Sequence, residues 1–187
     1  AADTGPFFHT DTVVAGAPAF NGRANTIETA TAFYATPAFA QRPGGNGQAL
    51  AMNAADITNI ARFLRAVNAV FNIQMAQKRI EGARQIGNVF GNGTALQLQK
   101  QQRLAVLARV EVDDAIAVLQ GAQGGALNSA QVTNLNNARS DLNSAATNGT
   151  LGSRQTQLAT ALNQLDLART GIAANVSFNI GNGTLMD

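Results

Sequence analysis

His9 is the only histidine and Tyr34 the only tyrosine among 187 residues, and cysteine is absent. Each count removes a class of chemistry. One histidine and no thiol exclude, within this chain, a two-His metal site, a Cys–His couple, Cys-ligated zinc, iron–sulfur clusters and a disulfide framework. A Ser–His–Asp triad would have to use His9, and the sequence holds neither a Gly-x-Ser-x-Gly elbow nor a Gly-x-x-x-x-Gly-Lys-Ser/Thr phosphate loop. The sparse acids Glu81, Glu111, Asp113 and Asp114 fall at spacings typical of solvated helix faces. Met52, Met75 and Met186 carry soft sulfur donors, but methionine on or beside an amphipathic stripe usually fills a core. Asn92, Asn148, Asn175 and Asn182 each open an Asn-x-Ser/Thr triplet, which permits glycosylation in a eukaryotic secretory setting; Asn-Gly turns explain three of them without sugar.

Composition narrows the partners. The sequence pI is near 9.7, yet the net charge is only +2 and charged residues make up 13% of the chain. The basic residues are scattered, with no basic run and no interleaved aromatics, so a surface that tracks nucleic-acid phosphates is not expected. No apolar run reaches the roughly 18–20 residues that a membrane-spanning helix needs, and the first residues, Ala-Ala-Asp-Thr-Gly, show no signal-peptide core. The expectation is a processed, soluble chain. Scarce lysine with abundant Asn, Gln, Thr, Gly and Ala suits a periplasmic or extracellular protein.

Bulk comes from Ala, Leu, Ile, Val and nine Phe, with no Trp, a core of helical flavour. Residues 1–24 show no helical period and read as an irregular segment lying on something else. Asn25 can cap a helix with Glu28 at its third position, and Ile27, Ala30, Thr31 and Tyr34 share its face until Pro37 stops it. After a glycine-rich loop over residues 41–49, Asn53 and Asp56 open a second helix with the stripe Ile57, Ile60, Ala61, Leu64, Val67, Phe71. The pattern continues or restarts through Ile73, Ala76, Ile80, Ala83 and Phe90, until Gly91-Asn92-Gly93 breaks it and sets a boundary near residue 92. Three more helices are predicted over roughly 97–120, 129–146 and 153–170. Their apolar positions (Ala108, Val112, Ala115, Leu119; Val132, Leu135, Leu142; Leu158, Leu162, Leu165) fit an antiparallel three-helix module. Val176, Phe178 and Ile180 alternate as in an extended arm.

Three stretches in order carry a resemblance. They are Gly5-Pro6-Phe7-Phe8-His9, then Asn25 to Tyr34 (Asn-Thr-Ile-Glu-Thr-Ala-Thr-Ala-Phe-Tyr), then Leu50 to Ile57 running into Ala61-Arg62-Phe63-Leu64-Arg65-Ala66-Val67. Over residues 5–68 the chain resembles the C-terminal end of the bacterial di-haem cytochrome c peroxidase and methylamine-utilisation maturase (MauG-like) superfamily. There a Pro-Tyr-Phe-His element precedes a Thr-Leu-x-x-x-Val-x-Phe-Tyr helix, a variable loop and a Leu-Thr-x-x-Glu-x-x-Asp-Leu-x-x-Phe-Leu-x-x-Leu helix.

The resemblance implies that Pro6, Phe8 and His9 line the pocket of the second haem. It sets Tyr34 where the family has that haem's distal axial ligand, which is Met in the peroxidases and Tyr in maturase-like members. Phenolate oxygen is a haem-iron donor in its own right; a lone tyrosine on an apolar stripe is otherwise a core residue with its hydroxyl bonded. The chain departs from the family after His9, where Thr10-Asp11-Thr12 replaces Asp-Gly, and in having no Cys-x-x-Cys-His haem attachment motif.

These readings set the expectations. The fold is mostly α: a cytochrome-c-peroxidase-like C-terminal helical segment over residues 1–92, then a helical assembly module with an extended C-terminal arm over 93–187. Haem c is expected in trans, on a partner cytochrome chain bearing Cys-x-x-Cys-His motifs, within a hetero-oligomer serving peroxide reduction, oxidative maturation or electron transfer. Any catalysis belongs to that haem. The alternative, from another class, is a haem-free secreted helical interaction or assembly protein.

Overall fold

A computed structural model describes residues 26–41, 47–91, 93–120 and 128–175. Helix makes up 86% of them, with no strand among the described residues. In chain order the helices are α1 (Ile27–Phe33), α2 (Pro37–Ala40), α3 (Ala54–Phe90), α4 (Ala95–Gln120), α5 (Ser129–Thr147) and α6 (Leu151–Asn175). Two compact units divide the chain, residues 1–64 and 65–187. The division falls inside α3, whereas the Gly91 break ends that helix ahead of α4. Pro6, Phe8, His9 and the arm at 176–187 lie outside the described residues.

In the first unit, α1 opens one residue later than expected. Thr26 is extended (φ −139°, ψ 156°) and its hydroxyl accepts from the Thr29 N–H at 3.0 Å, satisfying a donor that a helix start leaves open. The helix ends at Phe33, so Tyr34 is its C-terminal cap and not an interior face residue. Pro37 does more than stop it: with Thr36 as cap, Pro37 starts α2, where its missing N–H is not needed. Asn53 and Asp56 form the expected reciprocal cap of α3, Asn53 N–H to Asp56 Oδ2 at 2.9 Å and Asp56 N–H to Asn53 Oδ1 at 3.0 Å.

The second unit is a four-helix bundle, not a three-helix module, because residues 65–90 of α3 contribute a full share of its core. Buried positions recur in alternating steps of three and four. They run Ala66, Ala69, Ile73, Ala76, Ile80, Ala83 on α3; Gln101, Ala105, Ala108, Val112, Ala115, Leu119 on α4; Leu135, Ala138, Leu142, Ala145 on α5; and Arg154, Leu158, Ala161, Leu165, Ala168, Ile172 on α6. A seven-residue repeat of this kind packs knobs into holes in a left-handed supercoil. Most of these columns are either alanine or larger aliphatic residues, and the alanines allow close helix approach. The heptad phase also corrects the predicted stripe. Leu64, Val67 and Phe71 are 43%, 39% and 59% exposed, since the buried column runs through Ala66, Ala69 and Ile73 instead.

Pairing is antiparallel along the chain. Arg79 of α3 bonds the Leu107 carbonyl at 2.7 Å and Glu111 at 2.7 Å on α4, while Ala83 meets Gln101. Arg109 and Asp113 of α4 meet Asn143 and Arg139 of α5, and Asn128 meets Asn175 across α5 and α6. The first turn rests on Gly91, at φ +59°, whose N–H donates to the Gly87 carbonyl at 2.9 Å. An added Cβ there meets open space, so Gly91→Ala would carry only the cost of the left-handed backbone. We expect a loss of about 1–2 kcal/mol in a urea titration of the chain.

Candidate functional site

Tyr34 is held at the junction of α1 and α2 by its own backbone: its carbonyl accepts the Leu50 N–H at 2.9 Å, which draws the segment before α3 against the turn. Its ring packs with two phenylalanines. The Tyr34–Phe39 centroids are 4.9 Å apart, and Phe33 sits edge-on to both Tyr34 and Phe39 at 5.9 Å. Pairs in these orientations stabilise by about 0.5–1.5 kcal/mol beyond area burial. The phenol is therefore positioned by a capped turn and an aromatic cluster.

Tyr34 also lines an almost wholly apolar cleft of about 160 Å³ with Thr31, Leu50, Met52, Ile60 and Leu64. Thr31 is buried, with its hydroxyl turned to the Ile27 carbonyl at 2.8 Å, so its polar atom is already satisfied. Leu50 is 51% exposed at the rim. The cleft brings together Tyr34 and Met52, two side chains that the sequence set apart, on an almost wholly apolar wall. His9, Pro6 and Phe8 lie outside the described residues.

The second unit holds a buried polar layer built from two residue types that usually lie at the surface. Arg154 is 1% and Gln101 2% exposed. The guanidinium donates through Nε and Nη2 to Gln101 Oε1 at 3.0 and 2.8 Å and through Nη1 to the Asn148 carbonyl at 3.0 Å. These partners are neutral, and burial of the cation lowers its pKa from the ordinary arginine value. The signal was present in the phase: stepping one heptad back from Ala161 and Ala108 lands on Arg154 and Gln101.

A second polar feature is an open groove between α4 and α5 lined by Arg109, Asp113, Asn136, Arg139, Ser140 and Asn143. Its ion pairs, at 3.6 and 3.9 Å, join side chains 37% to 47% exposed, and such pairs contribute little. Among the described residues no three His, Cys, Asp or Glu gather as a metal site, and no helix is long and apolar enough to cross a membrane.

Beside the α5 core column, desolvation raises the Asp141 carboxyl pKa above its ordinary 3.8. A raised acid pKa means that the folded state favours the protonated form, so stability is fullest below pH 3.8 and falls as pH rises through the folded value. Asp141→Asn is accordingly expected to raise the neutral-pH melting temperature modestly, with the gain disappearing below pH 3.8.

A scan of known protein families gives no match for this chain, and searches of curated proteins and of solved structures likewise give none.

Proposed function

We propose that this chain is a subunit, or a processed C-terminal chain, of a di-haem c-type cytochrome complex, and that its first unit covers a haem held by a partner chain. The observation that carries this reading is Tyr34 on the wall of an apolar cleft beside Met52, fixed by the Leu50 bond and the Phe33–Phe39 cluster. An axial ligand needs one donor on a rigid support, and the capped turn with the Phe33–Phe39 cluster gives Tyr34 such a support. The cleft, at about 160 Å³, suits the edge of a flat macrocycle and not its enclosure, which agrees with attachment to another chain. When bound, the haem would supply the redox chemistry; this chain's part is to offer the Tyr34 oxygen, exclude water with Leu50, Met52, Ile60 and Leu64, and close the pocket with Pro6, Phe8 and His9. The setting is periplasmic or extracellular, and the oligomer is a hetero-oligomer.

A second reading, a haem-free helical interaction or assembly protein, draws on the second unit, whose four helices close a core with no group of three His, Cys, Asp or Glu among the described residues. In the first reading the same unit is the complex's assembly module. Isolation of the native material separates the two. The cytochrome reading expects a Soret band and a co-purifying chain with Cys-x-x-Cys-His motifs; absence of both leaves the assembly reading.

A further inference from the structure

We infer that the buried Arg154–Gln101 layer is a register lock that sets how the α3–α4 hairpin meets the α5–α6 hairpin. The need for a lock arises from the core itself. On α3 the column Ala69, Ala76, Ala83 repeats every heptad, as do Ala108 and Ala115 on α4, Ala138 and Ala145 on α5, and Ala161 and Ala168 on α6. The partner columns repeat Ile73 and Ile80 on α3 after Ala66, Leu135 and Leu142 on α5, and Leu158, Leu165 and Ile172 on α6, while that of α4 grades from Ala105 through Val112 to Leu119. Sliding one hairpin along the other by seven residues, about 10 Å at 1.5 Å per residue, again sets most alanine and large residues against columns of the same kind, with only the graded α4 column and Ala66 to oppose it. An apolar pattern with this repeat specifies a bundle but distinguishes poorly between neighbouring registers.

One layer breaks the degeneracy. Gly87 is the position one heptad after Ile80, and it has no side chain. A Cβ there would run into the amides of Gln101 and Gln155. Those amides use the space to donate to α3 carbonyls, Gln101 Nε2 to Ala83 and Gln155 Nε2 to Arg84, both at 3.0 Å. Gln101 Oε1 then accepts both Arg154 bonds, and Arg154 reaches the Asn148 carbonyl in the α5–α6 turn. The network joins α3, α4, the second turn and α6 at one level. A heptad slip in one direction would carry Arg154 against aliphatic or alanine positions and bury a guanidinium among apolar groups, and a slip in the other would set Ala161 beside Gln101 and strip that buried amide of its partner. Within each hairpin the short turns already fix the pairing, and between hairpins the exposed Arg109, Asp113 and Arg139 contacts are too weak to do so. This inference is independent of haem.

The absence of cysteine permits a clean test. Two cysteines introduced into the full chain at exposed Glu81 on α3 and Thr160 on α6 take spin labels, and pulsed electron paramagnetic resonance reads the distance between them. The otherwise unmodified chain should give one narrow distance. The same labelled pair with Gln101→Leu and Arg154→Leu should keep its helicity and gain a second, separate distance from the slipped register, and the unbranched, more adaptable Gln101→Met/Arg154→Met pair should do the same. Restoring Arg154 and Gln101 should restore the single peak. A single unshifted distance in both apolar pairs would overturn the lock. Loss of folding in both would also overturn it, because the layer would then be needed for stability and not for choosing the register.

Discussion

Truncating Leu165 to alanine is expected to lower the stability of the second unit by about 2–5 kcal/mol, the range for deleting a fully buried leucine side chain. Leu165 has no exposed surface and lies in the middle of the α6 large-residue column, between Leu158 and Ile172. Its neighbours in the repeat are alanines, whose short side chains cannot extend into the void. The loss should therefore fall toward the upper part of that range. Urea unfolding followed by circular dichroism would check it, with Leu167→Ala as the control. Leu167 is 59% exposed on the same helix, and its truncation should change stability by less than about 0.5 kcal/mol. Equal effects at the two positions would mean that the heptad phase of α6 is misassigned.

In the proposed haem-bearing complex, Tyr34→Phe is expected to raise the reduction potential of the haem nearest the first unit and leave an open or water-bound site. A hard anionic oxygen stabilises ferric over ferrous iron, and the substitution removes that oxygen while keeping the ring. The packing with Phe33 and Phe39 survives in the variant, since phenylalanine keeps the aromatic contacts at 4.9 and 5.9 Å. Stability should thus change little while the potential moves, which separates a ligand from a core residue. His9→Gln should perturb the spectrum less, because it alters only hydrogen bonding around the pocket. Spectroelectrochemical titration of the three proteins gives the comparison.

The helices were legible because their signals are local. The Asn53–Asp56 cap, the Gly91 stop and the apolar positions from Ala108 to Leu165 each depend on residues within one or two turns. What escaped notice depends on partners distant in sequence. The stripe through Leu64, Val67 and Phe71 looked as apolar as the true column, and only packing with α4 to α6 selects Ala66, Ala69 and Ile73 for burial. Ile73, Ala76, Ile80 and Ala83 are legible as one stripe, but the Gly91 break parts them in sequence from α4 to α6, and only the packed core joins them to the bundle. Arginine and glutamine usually lie at the surface, so residue type alone does not show the burial of Arg154 and Gln101, which follows from the vacancy at Gly87. Tyr34 was found as a residue, but its seat in the Met52 cleft needed the return of the chain at Leu50.

The most direct measurement for the proposed role is the resonance Raman spectrum of the ferric complex, excited in the charge-transfer band that a phenolate ligand gives to iron. The account predicts phenolate ring modes in the parent complex and their disappearance in Tyr34→Phe. Identical spectra for the two proteins, with no phenolate modes in either, would contradict it and make Tyr34 a packing residue of the α1–α2 turn.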